Sequence, residues 1–218
     1  VDKEKNSIKK TLNLLRKNNK ISNFYSVKVN KRIPVFGGMG GGTSNAYSVL
    51  RCLNKNKPDK DLYSALVDKV GTDFNLFLYK QGYLENLRKI KRLPKNYSLN
   101  FLLVFPNLKC STKQVYLKVR NFSSKSKFNL SKIEKKVQFI ELLKSKKNDL
   151  QSIVEKQYPI IGKLILEINK NKGCYFSRLT GSGSVCYGVF KSEKTAKAAL
   201  INIKSKYPRF WYYVAKTI

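Results

Sequence analysis

Apolar residues recur along this chain with two alternating periods. Ile8, Leu12 and Leu15 fall at helical spacing, which predicts an amphipathic helix over Asn6–Lys17. The period then drops to two. Tyr25, Val27 and Val29 alternate with Ser26, Lys28 and Asn30, which predicts a strand over Phe24–Asn30. Helical spacing returns with Ala46, Val49, Leu50 and Leu53, ending near Asn54. A further helix, opened by Pro58 and Asp59, carries Leu62, Ala65, Leu66 and Val70, with Gly71 as its stop. From Gly82 to Lys95 the apolar positions Leu84, Leu87, Ile90 and Leu93 fit no clean template, and the stretch reads as a join between domains. Leu99–Pro106 is a short apolar run, expected to be a buried strand. Asn121–Lys127 reads as an exposed loop, and Leu130–Leu143, Leu150–Tyr158 and Ile160–Ile168 read as helices. The chain closes with a strand over Val185–Phe190, a helix over Ser192–Lys206 capped by Ser192, and a last strand over Arg209–Ile218.

Between the predicted strand at Phe24–Asn30 and the helix that follows lies Gly37-Gly38-Met39-Gly40-Gly41-Gly42, then Thr43, Ser44 and Asn45. Glycines let a ligand approach the main chain. The free N–H groups and positive dipole end of the following helix then suit an anion. Thr43 and Ser44 are placed to cap that helix or to offer hydroxyls to a phosphate or its Mg²⁺. A flexible linker is the plainer reading, but linkers do not run into an amphipathic helix. Two common phosphate loops are excluded. The G-x-x-x-x-G-K-[ST] pattern fails because Thr43 follows Gly42. The G-x-G-x-x-G pattern fails because Thr43 takes its last place.

The stretch resembles the second motif of the GHMP kinases, P-x-G-G-L-G-G-G-S-S-N-A. Met39 stands for Leu, Thr43 for Ser, and Phe36 where a small residue is usual. The likeness is greatest to the members that phosphorylate 4-diphosphocytidyl-2-C-methyl-D-erythritol. Two later stretches continue it in family order. Gly71–Leu78 is similar to G-A-D-[VI]-P-[FV]-F-[LV], with Asn75 replacing the Pro. Phe176–Gly188 is similar to the third motif, [SA]-R-[ML]-[ST]-G-[ST]-G-[AS]-x-x-[FY]. Alone, Asp73 would read as a turn cap; the resemblance makes it the catalytic base. It also implies that Gly37 to Asn45 hold ATP, with Ser44 toward Mg²⁺, and that Thr180, Gly181, Ser182 and Gly183 meet the substrate. Thr112 and Tyr116 match a Thr and a cytosine-stacking aromatic of that branch, and their i, i+4 spacing puts them on one helix face. Asn148-Asp149-Leu150 matches a family N-D-[LF] and is expected to be a structural cap.

The implied fold is α+β in two domains. Residues 1–94 would be a ribosomal protein S5 domain 2-like ATP-binding domain, truncated at its N-terminus. Residues 95–218 would be a ferredoxin-like substrate domain. The family's first motif, P-[AS]-K-[IV]-N-L, with its Lys beside the catalytic Asp, has no match here. The chain, which starts at Val1, is therefore expected to be a fragment with little activity of its own. The implied cofactors are ATP and Mg²⁺. The implied partner is a small molecule, cytidine diphosphate-linked methylerythritol, with a cytoplasmic monomer or homodimer as the working form. The alternatives are a GHMP kinase for another alcohol, such as mevalonate or homoserine, or a non-catalytic nucleic-acid-binding protein.

Charge bears on the last alternative. Lys plus Arg number 45 against 13 Asp plus Glu, a net +32. Only 8 of the 45 are Arg, and the Lys are spread among many Asn, Ile, Phe and Tyr. Specific phosphate and base contacts favour Arg. The pattern fits an AT-rich coding sequence better than a selected nucleic-acid surface. No apolar run is long enough to span a membrane. With no His and no C-x-x-C among Cys52, Cys110, Cys174 and Cys186, neither a zinc site nor a disulfide framework is expected.

Overall fold

The computed structural model describes residues 6–54, 59–79, 81–86, 89–124 and 130–217. The expectations for Pro58, Leu87, residues 125–127 and Ile218 lie outside them. The chain divides into two compact units. One comprises Val1–Lys31 with Gly40–Leu93, the other Arg32–Met39 with Pro94–Ile218.

In the first unit, helix α1 (Ser7–Lys17) starts where the Asn6 side chain accepts from the Ile8 N–H. Its buried residues are Thr11, Leu14 and Leu15, a face rotated from the expected Ile8–Leu12–Leu15 line. Helix α2 (Gly41–Leu53) buries Ala46 and Leu50. Helix α3 (Lys60–Val70) is capped by Asp59, whose carboxylate accepts from the Leu62 N–H, and Gly71 ends it at φ 142°. A one-turn helix, α4 (Phe74–Phe77), follows. Leu14, Leu15, Ala46, Leu50, Leu62, Leu66 and Phe74 form one core. The stretch read as a join between domains holds an antiparallel hairpin, β1 (Gly82–Asn86) with β2 (Lys89–Arg92). Glu85 holds it through ion pairs to Lys89 and Lys91.

The predicted strand at Phe24–Asn30 does not form. Tyr25, Val27 and Val29 remain 40%, 41% and 43% exposed. Alternation marks a segment suited to pairing, but a strand exists only through a hydrogen-bonded neighbour. Among the described residues, no segment pairs with this one.

The second unit is a four-stranded antiparallel sheet of β3 (Asn100–Phe105), β4 (Cys174–Leu179), β5 (Cys186–Phe190) and β6 (Trp211–Lys216), in the order β4-β5-β3-β6. Helices α5 (Thr112–Leu117), α6 (Lys136–Ser145), α7 (Gln151–Gln157) and α8 (Pro159–Asn169) lie between β3 and β4, and α9 (Glu193–Lys206) between β5 and β6. The first strand thus sits between the third and fourth, with a helical crossover on each side of the central hairpin. That is the ferredoxin-like arrangement expected from the resemblance. The core unites Leu102, Val104, Phe190 and Leu179 of the sheet with Ile161, Leu164 and Ile168 of α8 and Ala196, Ala199 and Ile203 of α9. Ser192 caps α9 by accepting from the Thr195 N–H, as its sequence position predicts.

Candidate functional site

The glycine run is divided between the units after Met39, and its two halves do different things. Gly40 is the N-cap of α2, in the left-handed region at φ 63°, and no side chain accepts a hydrogen bond at this cap. Thr43 and Ser44 therefore do not cap the helix. They stand in its first turn, where the Ser44 N–H already bonds the Gly40 carbonyl. The helix begins too early for a side-chain cap because Gly40 can adopt a conformation that L residues avoid. Its leading N–H groups remain without side-chain acceptors and can receive an anion. Asn45 follows, half-buried, on the same turn. Among the described residues, a Cβ placed on Gly41 would meet only the Lys31 ammonium, at 3.2 Å, and one on Gly42 only the Ser7 hydroxyl, at 3.6 Å.

Asp73 lies at this helix end. Its carboxylate oxygen is 3.7 Å from where a Cβ of Gly40 would stand, beside the Phe77 ring. It precedes α4 in a helical conformation and caps nothing, so the turn-cap reading does not hold. It is exposed. Asn75, in place of the family's Pro, is fully buried and donates its N–H to the Thr72 carbonyl, a bond Pro could not make. Lys31 was not singled out from the sequence. The signal was a basic pair, Lys31-Arg32, just ahead of the glycine run. An ammonium at a helix N-terminus opposes the helix dipole. An anion seated there would reverse that balance.

The first half of the run, Gly37, Gly38 and Met39, packs on the third motif. A Cβ on Gly38 would stand 2.6 Å from the Thr180 carbonyl oxygen, and Gly38 has φ 68°. These glycines were expected to admit a ligand. At Gly38 the space is taken by backbone instead, so glycine is required there by packing. The Thr180 hydroxyl donates to the Gly37 carbonyl at 2.8 Å, and the Val185 N–H donates to the same oxygen at 3.3 Å. The Met39 methyl closes against Gly37, 3.1 Å from its would-be Cβ.

The turn Thr180-Gly181-Ser182-Gly183 joins β4 to β5. Its Ser182 hydroxyl lies 2.8 Å from that of Thr112, the first residue of α5. Ser111 caps α5 by accepting from the Gln114 N–H. Four residues on from Thr112, Tyr116 is 52% exposed and free to present its ring to a ligand. The structure thus brings Thr112 onto the third-motif turn, with Tyr116 four residues further along α5. Cys110 stands beside this turn, but burial pushes its thiol above the usual range and keeps it protonated. All four cysteines are free thiols.

A model of the GHMP kinase N-terminal domain matches residues 6–75, and one of the C-terminal region matches residues 133–209. The chain is 33% identical over 97% of its length to the 4-diphosphocytidyl-2-C-methyl-D-erythritol kinase of Wolbachia sp. subsp. Drosophila simulans, spanning 74% of that protein. It is 32% identical over 98% of its length to the kinase of the same name from Pelagibacter ubique, spanning 76% of it. A crystal structure of 4-(cytidine 5'-diphospho)-2C-methyl-D-erythritol kinase superposes with a TM-score of 0.63 over 84% of this chain and 68% of that one, at 24% identity. Matched across both halves by models and throughout by relatives, the chain belongs to the GHMP kinase family.

Proposed function

We propose that this protein transfers the γ-phosphate of ATP to the 2-hydroxyl of 4-diphosphocytidyl-2-C-methyl-D-erythritol, a step of non-mevalonate isoprenoid precursor synthesis. The observation that carries the reading is the N-terminus of α2, uncapped by any side chain, with an ammonium and an uncommitted carboxylate beside it. The relatives' shared name supplies the alcohol.

In this reading the leading N–H groups of α2, from Gly41 to Thr43, and the Lys31 ammonium hold the triphosphate. Asp73 accepts the proton of the 2-hydroxyl as that oxygen attacks the γ-phosphorus. The bond from the γ-phosphorus to the ADP oxygen breaks, and ADP leaves with the electron pair. No covalent enzyme intermediate is required, since positioning and charge neutralisation carry most phosphoryl transfer. Mg²⁺ would come in with ATP, reached by the Ser44 hydroxyl, and would neutralise phosphate charge. Tyr116 stacks on cytosine, and Thr112 and the Thr180–Gly183 turn meet the rest of the substrate. The protein works in the cytoplasm as a monomer or homodimer, without a specific nucleic-acid or membrane partner. Among the described residues, no helix is long and apolar enough to cross a membrane.

The test is phosphorus NMR of the product mixture formed from ATP and each of three alcohols. A new phosphomonoester from the cytidylyl substrate, with none from mevalonate or homoserine, is the expected result. Transfer to either of the other two alone would overturn the choice of substrate, and a protein that neither transfers phosphate nor binds ATP would overturn the kinase reading.

A further inference from the structure

Asn148 was expected to cap a helix. It does accept, through Oδ1, from the Leu150 N–H at 3.0 Å. Its amide nitrogen does something else. It donates to the Leu179 carbonyl at 3.0 Å and to the Gly181 carbonyl at 2.7 Å, both more than thirty residues away in sequence and on the third-motif turn. Gln151, one helical turn on, accepts from the Leu179 N–H at 3.1 Å and donates to Glu155 at 2.9 Å. The peptide groups that enter the turn are thus held by side chains at the start of α7.

Fixing a carbonyl fixes more than an oxygen. In a trans peptide the C=O and the following N–H point in opposite directions. The Gly181 carbonyl drawn to Asn148 therefore turns the Ser182 N–H away from Asn148. That N–H has no acceptor among the described residues, while the Ser182 side chain is engaged with Thr112. Ser182 is only 6% exposed. A donor in so sheltered a residue, left without a partner, is costly unless a ligand supplies one. Of its neighbours, Thr180 donates to Val185, Gly183 to Thr180 and Ser184 to Phe36, while the Gly181 N–H, like that of Ser182, has no acceptor among the described residues.

We propose that Asn148 is a positioning residue of the third-motif turn, pinning the Leu179 and Gly181 carbonyls so that the Ser182 N–H stands ready to donate to a phosphate oxygen. The assignment rests on the kinase reading above. The phosphate can be that of ATP or the diphosphate of the cytidylyl substrate, since the donor sees the same kind of oxygen in both.

Asn148→Asp separates this role from a cap. Aspartate keeps the acceptor for the Leu150 N–H but loses both donors and sets a negative charge against two carbonyls. A cap residue would tolerate it. The positioning role predicts a fall in kcat/KM of about 100-fold, the scale of an ångström-level misplacement, measured well below the melting temperature of the variant, which the two freed carbonyls lower. A rise in KM confined to ATP or to the cytidylyl substrate identifies which phosphate the N–H receives. Wild-type kcat and KM values in Asn148→Asp would overturn the proposal while leaving the kinase reading intact. A second measurement does not need turnover. In amide NMR of the wild-type protein titrated with pyrophosphate at about 0.15 M ionic strength, where diffuse attraction is largely screened, the Ser182 resonance should move more than those of surface lysines. In Asn148→Asp it should not. A wild-type Ser182 signal indifferent to pyrophosphate also overturns the proposal, whatever the enzyme's activity.

Discussion

Two residues of the glycine run separate packing from ligand approach. Gly38 has a positive φ and a backbone oxygen 2.6 Å from its would-be Cβ, whereas Gly41 faces only the movable end of Lys31. Gly38→Ala should lower the melting temperature, since the left-handed conformation alone costs an L residue about 1–2 kcal/mol. Gly41→Val should fold with only the small loss of a poorer helix former but weaken ATP binding, because its branched side chain fills the approach to the helix N-terminus. Calorimetric titration with ATP, paired with thermal melts of both variants, checks this. Unchanged ATP affinity in folded Gly41→Val would remove the loop from the nucleotide site. Asp73 makes a cleaner test still. Its carboxylate caps nothing, so Asp73→Asn should keep both stability and ATP affinity while kcat falls by about 10²–10⁴, the usual contribution of a general base. A wild-type kcat would reduce Asp73 to a turn residue. Most of these positions were legible in the sequence through their resemblance to the GHMP kinase motifs, without which Asp73 would have read as a turn cap. Lys31 was not, since it is one lysine among many and its meaning depends on which helix end its flexible chain reaches. Nor was the division of labour within the glycine run, because packing and ligand approach select the same residue.

Elements were legible where their signals are local. The caps Asn6, Asp59 and Ser192 and the stop Gly71 mark helix ends through bonds spanning only a few residues. Pairing is not local. Phe24–Asn30 carries a strand pattern without a partner, and Gly82–Arg92 carries a weak pattern but closes on itself as a hairpin. The helix expected over Leu130–Leu143 starts only at Lys136, after a single 3₁₀ turn at Leu130–Lys132. In the second unit the seating of α8 on the sheet depends on one absent side chain. Gly188 in β5 pairs with Leu102 and Ser177. A Cβ there would stand 2.5 Å from the Ile168 Cγ2 and 2.8 Å from the Phe190 ring. Gly188→Ala should therefore destabilise the fold by about 1–3 kcal/mol, the usual cost of overpacking a tight core. A combined Gly188→Ala, Ile168→Leu protein should recover part of that loss, since leucine lacks the Cγ2 methyl that meets the new one. Urea melts of the two proteins measure it, and a double variant no more stable than the single one would place the strain elsewhere. At the same scale, Tyr116→Ala should weaken binding of the cytidylyl substrate by about 1–3 kcal/mol, the range for a base stacked on an aromatic ring. Tyr116→Phe should be nearly neutral, and equal losses in the two would rule out stacking.

Over the whole molecule, the excess of 45 basic over 13 acidic side chains leaves most lysines without a carboxylate to meet. Among the described residues, ion pairs such as Lys20–Asp59, Lys197–Glu193 and Lys206–Glu167 lie on the surface. Each is worth little, while the unbalanced charges repel one another in the folded state more than in the expanded chain. Added salt should therefore stabilise this protein, with the melting temperature rising from about 0.01 M to about 0.15 M ionic strength as the screening length falls from about 30 Å to about 8 Å. The same titration separates a nucleotide site from a polyelectrolyte surface. A bound ligand raises stability by RT ln(1 + [L]/Kd). At low salt both ATP and a homopolymeric RNA should protect the fold, because any polyanion relieves the repulsion. At about 0.15 M the RNA effect should largely vanish, since its affinity rests on counterion release and falls steeply with salt. ATP protection should persist, because in the proposed site the α2 N–H groups and Lys31 would meet the phosphates at hydrogen-bond distance, well inside the screening length. Thermal melts at the two salt levels, with ATP at saturation in each, decide the matter. Loss of ATP protection in parallel with that of RNA would mean that the nucleotide is held by diffuse charge rather than by the helix end.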